Sequence, residues 1–169
     1  MSPRSRRPEP LPVGPGQESV WDYPRPPRVE PVSKRVVVRL GGVVIADTTD
    51  AVRVLETSHP PVYYLPVASF ADGALRAAAG TTFCEFKGEA SYLDVVGGTA
   101  VAPSAGWYYA SPSRGFEDLR NRVALYPGRM ERCEVGDEVV RAQDGDFYGG
   151  WITSEIVGPF KGAPGTWGW

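Results

Sequence analysis

One histidine and two cysteines are all that this 169-residue chain holds of either type, and each scarcity removes a class of chemistry. With His59 alone, and with Cys84 and Cys133 far apart in the sequence, neither a zinc knuckle nor a His-rich or thiolate metal centre can be assembled. No metal and no cofactor is expected. A Ser-His-Asp triad is not expected either, because the one histidine sits in a loop-like His59-Pro60-Pro61. The thiols lack C-x-x-C spacing, so no disulfide framework is supported, and a reducing compartment would keep both free. Apolar runs are short, none approaching the ~18 residues of a membrane span. The basic residues near the start have no apolar stretch behind them that would make a signal peptide. A net charge of -2 and a pI near 5.5 give no general pull toward phosphate backbones. The expectation is a cytoplasmic protein with no membrane contact and no general nucleic-acid binding. The glycine pairs Gly97-Gly98 and Gly149-Gly150, and the stretch Gly158 to Gly168, lack the strand-to-helix context and the G-K-[ST] ending of a phosphate loop.

Lysine is scarce as well. Against fifteen arginines there are three lysines, Lys34, Lys87 and Lys161. Two of them share a tripeptide, Phe86-Lys87-Gly88 and Phe160-Lys161-Gly162. A compact ammonium at both places suggests that a planar guanidinium would not serve there. The alternative is that both are turns in which the glycine matters and the lysine does not.

What the chain has in quantity is proline at one end, β-branched residues in the middle and aromatics throughout. With 42% apolar residues it is long enough for one domain with a real core. Residues 1–34 are dense in proline, which removes backbone donors and blocks helix, so they read as an extended arm with a basic tip at Arg4, Arg6 and Arg7. Trp21 and Tyr23 within that arm are expected to dock on the domain, since exposed aromatics in a free tail are unusual. Residues 35–142 read as a single β domain and 143–169 as a Gly/aromatic C-terminal extension. Val36–Leu40 and Val43–Ala46 flank Gly41-Gly42 as a hairpin, and short strands are expected over 52–56, 62–65, 99–102, 106–110, 123–126 and 138–141. An Ala-rich body with a closing glycine predicts one short helix within Ser69–Gly80. The fold class is therefore mainly β, with one or two short helices.

The segment T-T-F-C-E-F-K-G-E-A-S-Y, residues 81–92, forms a second hairpin turning at Lys87-Gly88. Alternation puts Thr82, Cys84 and Phe86 on one face. Lys87 and Tyr92 are expected within reach of Cys84, where an ammonium would favour a reactive thiolate. The other reading is a buried thiol acting as a small hydrophobe beside an exposed lysine. The aromatics Tyr63, Tyr64, Tyr92, Trp107, Tyr108, Tyr109, Tyr148 and Trp151 supply either a stacking wall for a flat ligand or ordinary sheet packing.

The succession R-V-V-V-R-L-G-G-V-V-I-A-D-T, V-L-E-T-S-H-P-P-V-Y-Y-L-P, T-T-F-C-E-F-K-G-E-A-S-Y, G-W-Y-Y-A-S-P and V-A-L-Y-P resembles the bacterial domain-of-unknown-function family 427. Its members carry E…P-x-x-Y-Y-x-P and C-x-x-K-G-x-A-x-Y in this order. The resemblance covers about Val36 to Tyr126, and the tail from Gly149 looks like an extension of a subset of these proteins. It implies two antiparallel sheets in a β-tent-like arrangement, a group that includes a methionine sulfoxide reductase and a thalidomide-binding domain. Both of those usually hold zinc on four cysteines, which this chain cannot supply. Some descriptions label the family nucleotidyltransferase-like, a possible transferase, but no carboxylate pair with a Gly-Ser loop is present to support two-metal phosphoryl transfer.

Three functional expectations follow. A cleft between the sheets binds a small molecule, with Tyr63, Tyr64, Trp107, Tyr109 and Lys161 contacting it and Glu56 and Lys87 orienting it. Alternatively, the same cleft is catalytic, with Cys84 as nucleophile, Lys87 as its activator and Glu56 or Tyr92 moving a proton. In the third, the chain is an interaction module whose terminal arms wrap the core or form a homodimer.

Overall fold

A computed structural model of the chain describes residues 7–145 and 147–169, so Arg4 and Arg6 of the basic tip lie outside the described residues. Fifteen strands run in the order β1 Glu18–Ser19, β2 Arg28–Pro31, β3 Val36–Leu40, β4 Val43–Thr48, β5 Val52–Leu55, β6 Val62–Pro66, β7 Leu75–Cys84, β8 Gly88–Gly97, β9 Ala100–Tyr109, β10 Arg122–Leu125, β11 Arg132–Val135, β12 Glu138–Val139, β13 Arg141–Ala142, β14 Trp151–Ile152 and β15 Ile156–Val157. Among the described residues the helical content is four single 3-10 turns of three residues each, at 20–22, 67–69, 117–119 and 127–129. Among the described residues no helix is long and apolar enough to cross a membrane.

Two antiparallel sheets dominate. One has seven strands in the order β2-β5-β6-β10-β9-β8-β7, the other four in the order β12-β11-β3-β4. The β3–β4 hairpin closes at Gly41-Gly42, whose φ values of 61° and 80° are the left-handed pair that a two-residue hairpin turn requires. Alternation then sorts side chains to two faces. Tyr63, Leu65, Val95, Val123 and Leu125 of the larger sheet meet Val36, Val38 and Ile45 of the smaller one in the main core, with Trp151 fully buried among them. Tyr63 stacks on Trp151 with ring centroids 4.8 Å apart. The opposite, outer face of the larger sheet carries Val52, Val54, Tyr64, Ala90, Trp107 and Tyr109, and Phe116 and Leu119 of the following loop cover it.

The Ala-rich segment is not a helix. It becomes β7, the edge strand of the larger sheet, paired with β8 from Leu75↔Val95 to Cys84↔Gly88 with a bulge between Ala77 and Thr81. The helix preference of alanine is worth only tenths of a kcal/mol per residue over ordinary side chains. Residues 75–84 have no apolar stripe at helical spacing to bury, and the β8 backbone satisfies their amides instead. The strands expected at 99–102 and 106–110 are one strand, β9, bent where Ser104 takes φ 50° and Asp94 Oδ1 accepts its N–H at 2.8 Å.

Among the described residues, the two terminal segments pack against the domain and each other. Strand β2 pairs with β5, so the larger sheet already begins within residues 28–31. Strands β1 and β15 pair in parallel. Trp21 donates from Nε1 to the Pro159 carbonyl at 3.0 Å and packs with Val20, Leu55 and Ile156. Arg53 ties the arm to β5 through Glu18 at 2.7 Å and Glu30 at 2.6 Å.

Candidate functional site

Strand β5 directs Val54 to the outer face, and two residues later Glu56 continues that face as the strand ends. The chain then reverses through Ser58, at φ 74°, with the His59 N–H donating to the Glu56 carbonyl at 3.1 Å. This turn brings His59 back over Glu56. The β7–β8 hairpin tip supplies Lys87, followed by Gly88 at φ 108°, and the Lys87 carbonyl accepts from Ser113 N–H at 2.9 Å. The third contributor is the C-terminal extension, with Gln143, Phe147, Tyr148 and Gly149. Together these segments enclose a pocket of about 200 Å³, floored by Val54 and Val62 and bordered by Glu56, His59, Lys87 and Tyr148. A roomier hollow of about 620 Å³ beyond Gln143 and Tyr148 shares those two residues. The smaller pocket is the better candidate, because the single histidine joins a carboxylate and a lysine there beside the apolar Val54 and Val62.

Its electrostatics are asymmetric. Glu56 Oε2 is held by His59 Nε2 at 3.4 Å and by Arg25 Nη2 at 3.7 Å. Lys87 has no ion-pair partner within 4.0 Å among the described residues, so Glu56 and Lys87 do not form an ion pair with each other there. His59 is held neutral: burial pushes its pKa down to about 4, helped by the positive charges of Lys161, Arg25 and Lys87. Tyr148 lies over the His59 ring at 5.1 Å and continues to Phe147 at 5.7 Å and Trp167 at 6.1 Å. Phe147 and Trp167 are exposed.

The two Phe-Lys-Gly tripeptides converge on His59 by different means. Lys87 borders the pocket. Lys161 acts through its backbone: its N–H donates to the Ser58 carbonyl at 2.9 Å and its carbonyl accepts from Gln143. Its ammonium reaches the Trp169 carbonyl at 3.4 Å and lines a separate hollow with Arg141 and Ile152. Gly162 sits at φ 137°, and a Cβ there would fall 2.1 Å from the Asp144 carbonyl oxygen. In the second tripeptide the glycine is therefore indispensable.

The aromatic wall expected from the sequence is packed core. Tyr63 faces the inter-sheet core, away from the pocket. Tyr64 is fully buried on the outer face, edge-on to Trp107 at 6.4 Å and tilted to Tyr109 at 6.3 Å. Burial holds the phenols of Tyr64 and Tyr109 above the ordinary tyrosine value. Trp107 is pressed on Gly149, where a Cβ would lie 2.3 Å from its ring. The pocket bordered by Glu56, His59 and Lys87 is thus on the outer face of the larger sheet, whereas Tyr63 packs between the sheets. Cys84 is half-buried against this aromatic cluster beside Phe86, and Tyr92 hydrogen-bonds Thr82 at 2.9 Å; neither Cys84 nor Tyr92 lines the pocket that Lys87 borders. His59, Gln143 and Phe147 are lining residues that the sequence reading does not assign to the site. Among the described residues no cluster of three or more His, Cys, Asp or Glu is placed to hold a metal. One carboxylate beside a lysine and a neutral histidine is not a donor set for a pair of divalent cations.

Residues 28–136 match the family described as a domain of unknown function (DUF427), labelled NTP_transf_9, and the chain belongs to that family. A search of the curated proteins gave no match. Of the pocket residues, Val54, Glu56, His59, Val62 and Lys87 fall inside the matched span, whereas Gln143, Phe147, Tyr148 and Gly149 come from beyond it.

Proposed function

We propose that this DUF427 protein binds a small molecule with an anionic group and a flat apolar portion in the pocket of the outer sheet face. The observation that carries the reading is the convergence of Glu56, His59, Lys87 and Tyr148, from three separate segments, on one small concavity with an apolar floor. Lys87 attracts the anion. Glu56, already neutralised in part by Arg25, accepts a hydrogen bond through its remaining oxygen. Tyr148 and the Val54–Val62 floor take the apolar part. Two free thiols fit a reducing compartment such as the cytoplasm.

The test is a titration of benzoate and phenyl phosphate into the ¹⁵N-labelled protein, with benzyl alcohol as the uncharged control. Saturable shifts at Val54, Val62 and Tyr148 are expected for the anions, weakened about tenfold in Lys87→Met, as loss of a charged hydrogen bond implies. Shifts scattered over the surface, or equal binding by Lys87→Met, would sink the reading.

A further inference from the structure

Gln143 is buried and its amide makes three contacts, two of them to backbone groups. The Gly150 N–H can only donate, so the atom 3.1 Å from it is the amide oxygen. The Lys161 carbonyl can only accept, so the atom 2.6 Å from it is the amide nitrogen. These neighbours orient the amide without ambiguity. Its nitrogen has one hydrogen left, and His59 Nδ1 lies 3.2 Å away. A ring nitrogen that accepts carries no proton, so the neutral ring is protonated on Nε2, the atom that faces Glu56 Oε2 at 3.4 Å. With Nδ1 accepting and Nε2 carrying the proton, His59 has no lone pair to offer a ligand. Gly150 is part of this device: a Cβ there would stand 2.4 Å from the Gln143 amide oxygen and 3.0 Å from Pro60.

We infer that Gln143, a residue of the extension beyond the matched family span, is a positioning residue of the pocket: it locks His59 as the neutral Nε2–H tautomer and thereby fixes the Glu56 carboxylate. Arg25, Lys87 and Lys161 surround the ring with positive charge and oppose an imidazolium, and Glu56 is the one carboxylate on it among the described residues. The Glu56 carboxylate, which borders the pocket, can only accept. The ligand class narrows to anions that also carry an N–H or O–H donor. That narrowing rests on the binding reading above, whereas the tautomer lock does not.

His59 is the single histidine, so a long-range ¹H–¹⁵N ring spectrum reports it without ambiguity. The wild type at pH 7 is expected to show an unprotonated Nδ1 and a protonated Nε2. Gln143→Glu puts a carboxylate opposite Nδ1 and is expected to move a proton there; Gln143→Leu is expected to give a mixture of tautomers. A wild-type ring protonated on Nδ1 would overturn the lock by itself, even if no variant folds. So would a Gln143→Leu spectrum identical to wild type. For the ligand arm, 3-hydroxybenzoate is expected to bind about tenfold tighter than benzoate in the wild type, with that ratio lost in Gln143→Leu. Failure of both ligands to bind would refute the binding reading and leave the tautomer result standing. A preference retained in Gln143→Leu would refute the positioning role.

Discussion

The indole rings of Trp21 and Trp169 meet edge to face, with centroids 5.9 Å apart, so the N-terminal arm and the last residue of the chain form one small core. Val20, Leu55 and Ile156 complete it, and Arg7 stacks on the Trp21 ring at 4.9 Å. Trp21 and Trp169 thereby turn their indoles onto the same domain. Through β15 and the Lys161 backbone, this core also anchors the turn that carries His59.

From this follows the first expectation. Trp21→Ala removes a nearly buried indole and its hydrogen bond to Pro159, and is expected to destabilise the chain by about 3–5 kcal/mol, as large aromatic truncations do. Urea unfolding would measure it. Trp169 is partly exposed, so Trp169→Ala is expected to cost less than half as much. Equal effects would mean that the two rings do not belong to one packed unit.

The pH dependence of stability has a defined sign. The His59 pKa is depressed to about 4 in the fold, against about 6.5 in the unfolded chain, so between those values the unfolded state binds more protons. Stability from this group is fully present above pH 6.5 and is lost as pH falls toward 4, by about 3 kcal/mol in all. Carboxylates such as Asp47, held low by Arg35, lose stability in the same acid direction. The informative quantity is therefore the difference between wild type and His59→Gln. Urea midpoints at pH 7, 5.5 and 4.5 should converge for the two proteins as pH drops. A constant gap would show that His59 titrates normally.

Much of the fold is legible in the residues, and the limits of that legibility are physical. Val-rich runs around Gly41-Gly42 announce their hairpin because β-branched alternation and a left-handed turn agree. Residues 74–80 mislead because alanine is permissive, and the partner strand β8 decides its conformation. For the site, Glu56 and Lys87 stand out by residue type. The faces of Tyr64, Trp107 and Tyr109 follow from alternation, but alternation is silent on what covers a face, and here the loop carrying Phe116 and Leu119 does. Gln143 has no signature of its own. Its role comes from three contacts to residues 7, 18 and 84 positions away, which no local pattern encodes.

The two thiols are expected to differ sharply. Burial pushes the Cys133 thiol up to about 12, and it lies inside the main core, so alkylation there should require global unfolding. Cys84 is half-buried and should react with iodoacetamide in the folded protein. Because Lys87 borders the pocket and Cys84 packs on the aromatic cluster, Lys87→Met is expected to change the Cys84 rate by less than about twofold. A drop of tenfold or more would instead make the lysine an activator of the thiol and return cysteine chemistry to the front.

Two glycine substitutions separate backbone strain from steric exclusion. Gly115 and Gly162 both lie at positive φ, 94° and 137°, but a Cβ at Gly115 meets open space whereas one at Gly162 collides with the Asp144 backbone. Gly115→Ala should therefore cost about 1 kcal/mol, the conformational penalty alone. Gly162→Ala adds a clash that only main-chain movement relieves, and a cost of several kcal/mol is expected. Since Asp144 and Lys161 flank Gln143 in sequence and in hydrogen bonding, the displacement should reach the amide and release His59. Thermal unfolding gives the two costs, and the His59 ring spectrum gives the second effect. A Gly162→Ala protein as stable as Gly115→Ala, with an unchanged His59 tautomer, would show that the segment is free to shift and that the pocket wall is not rigidly held.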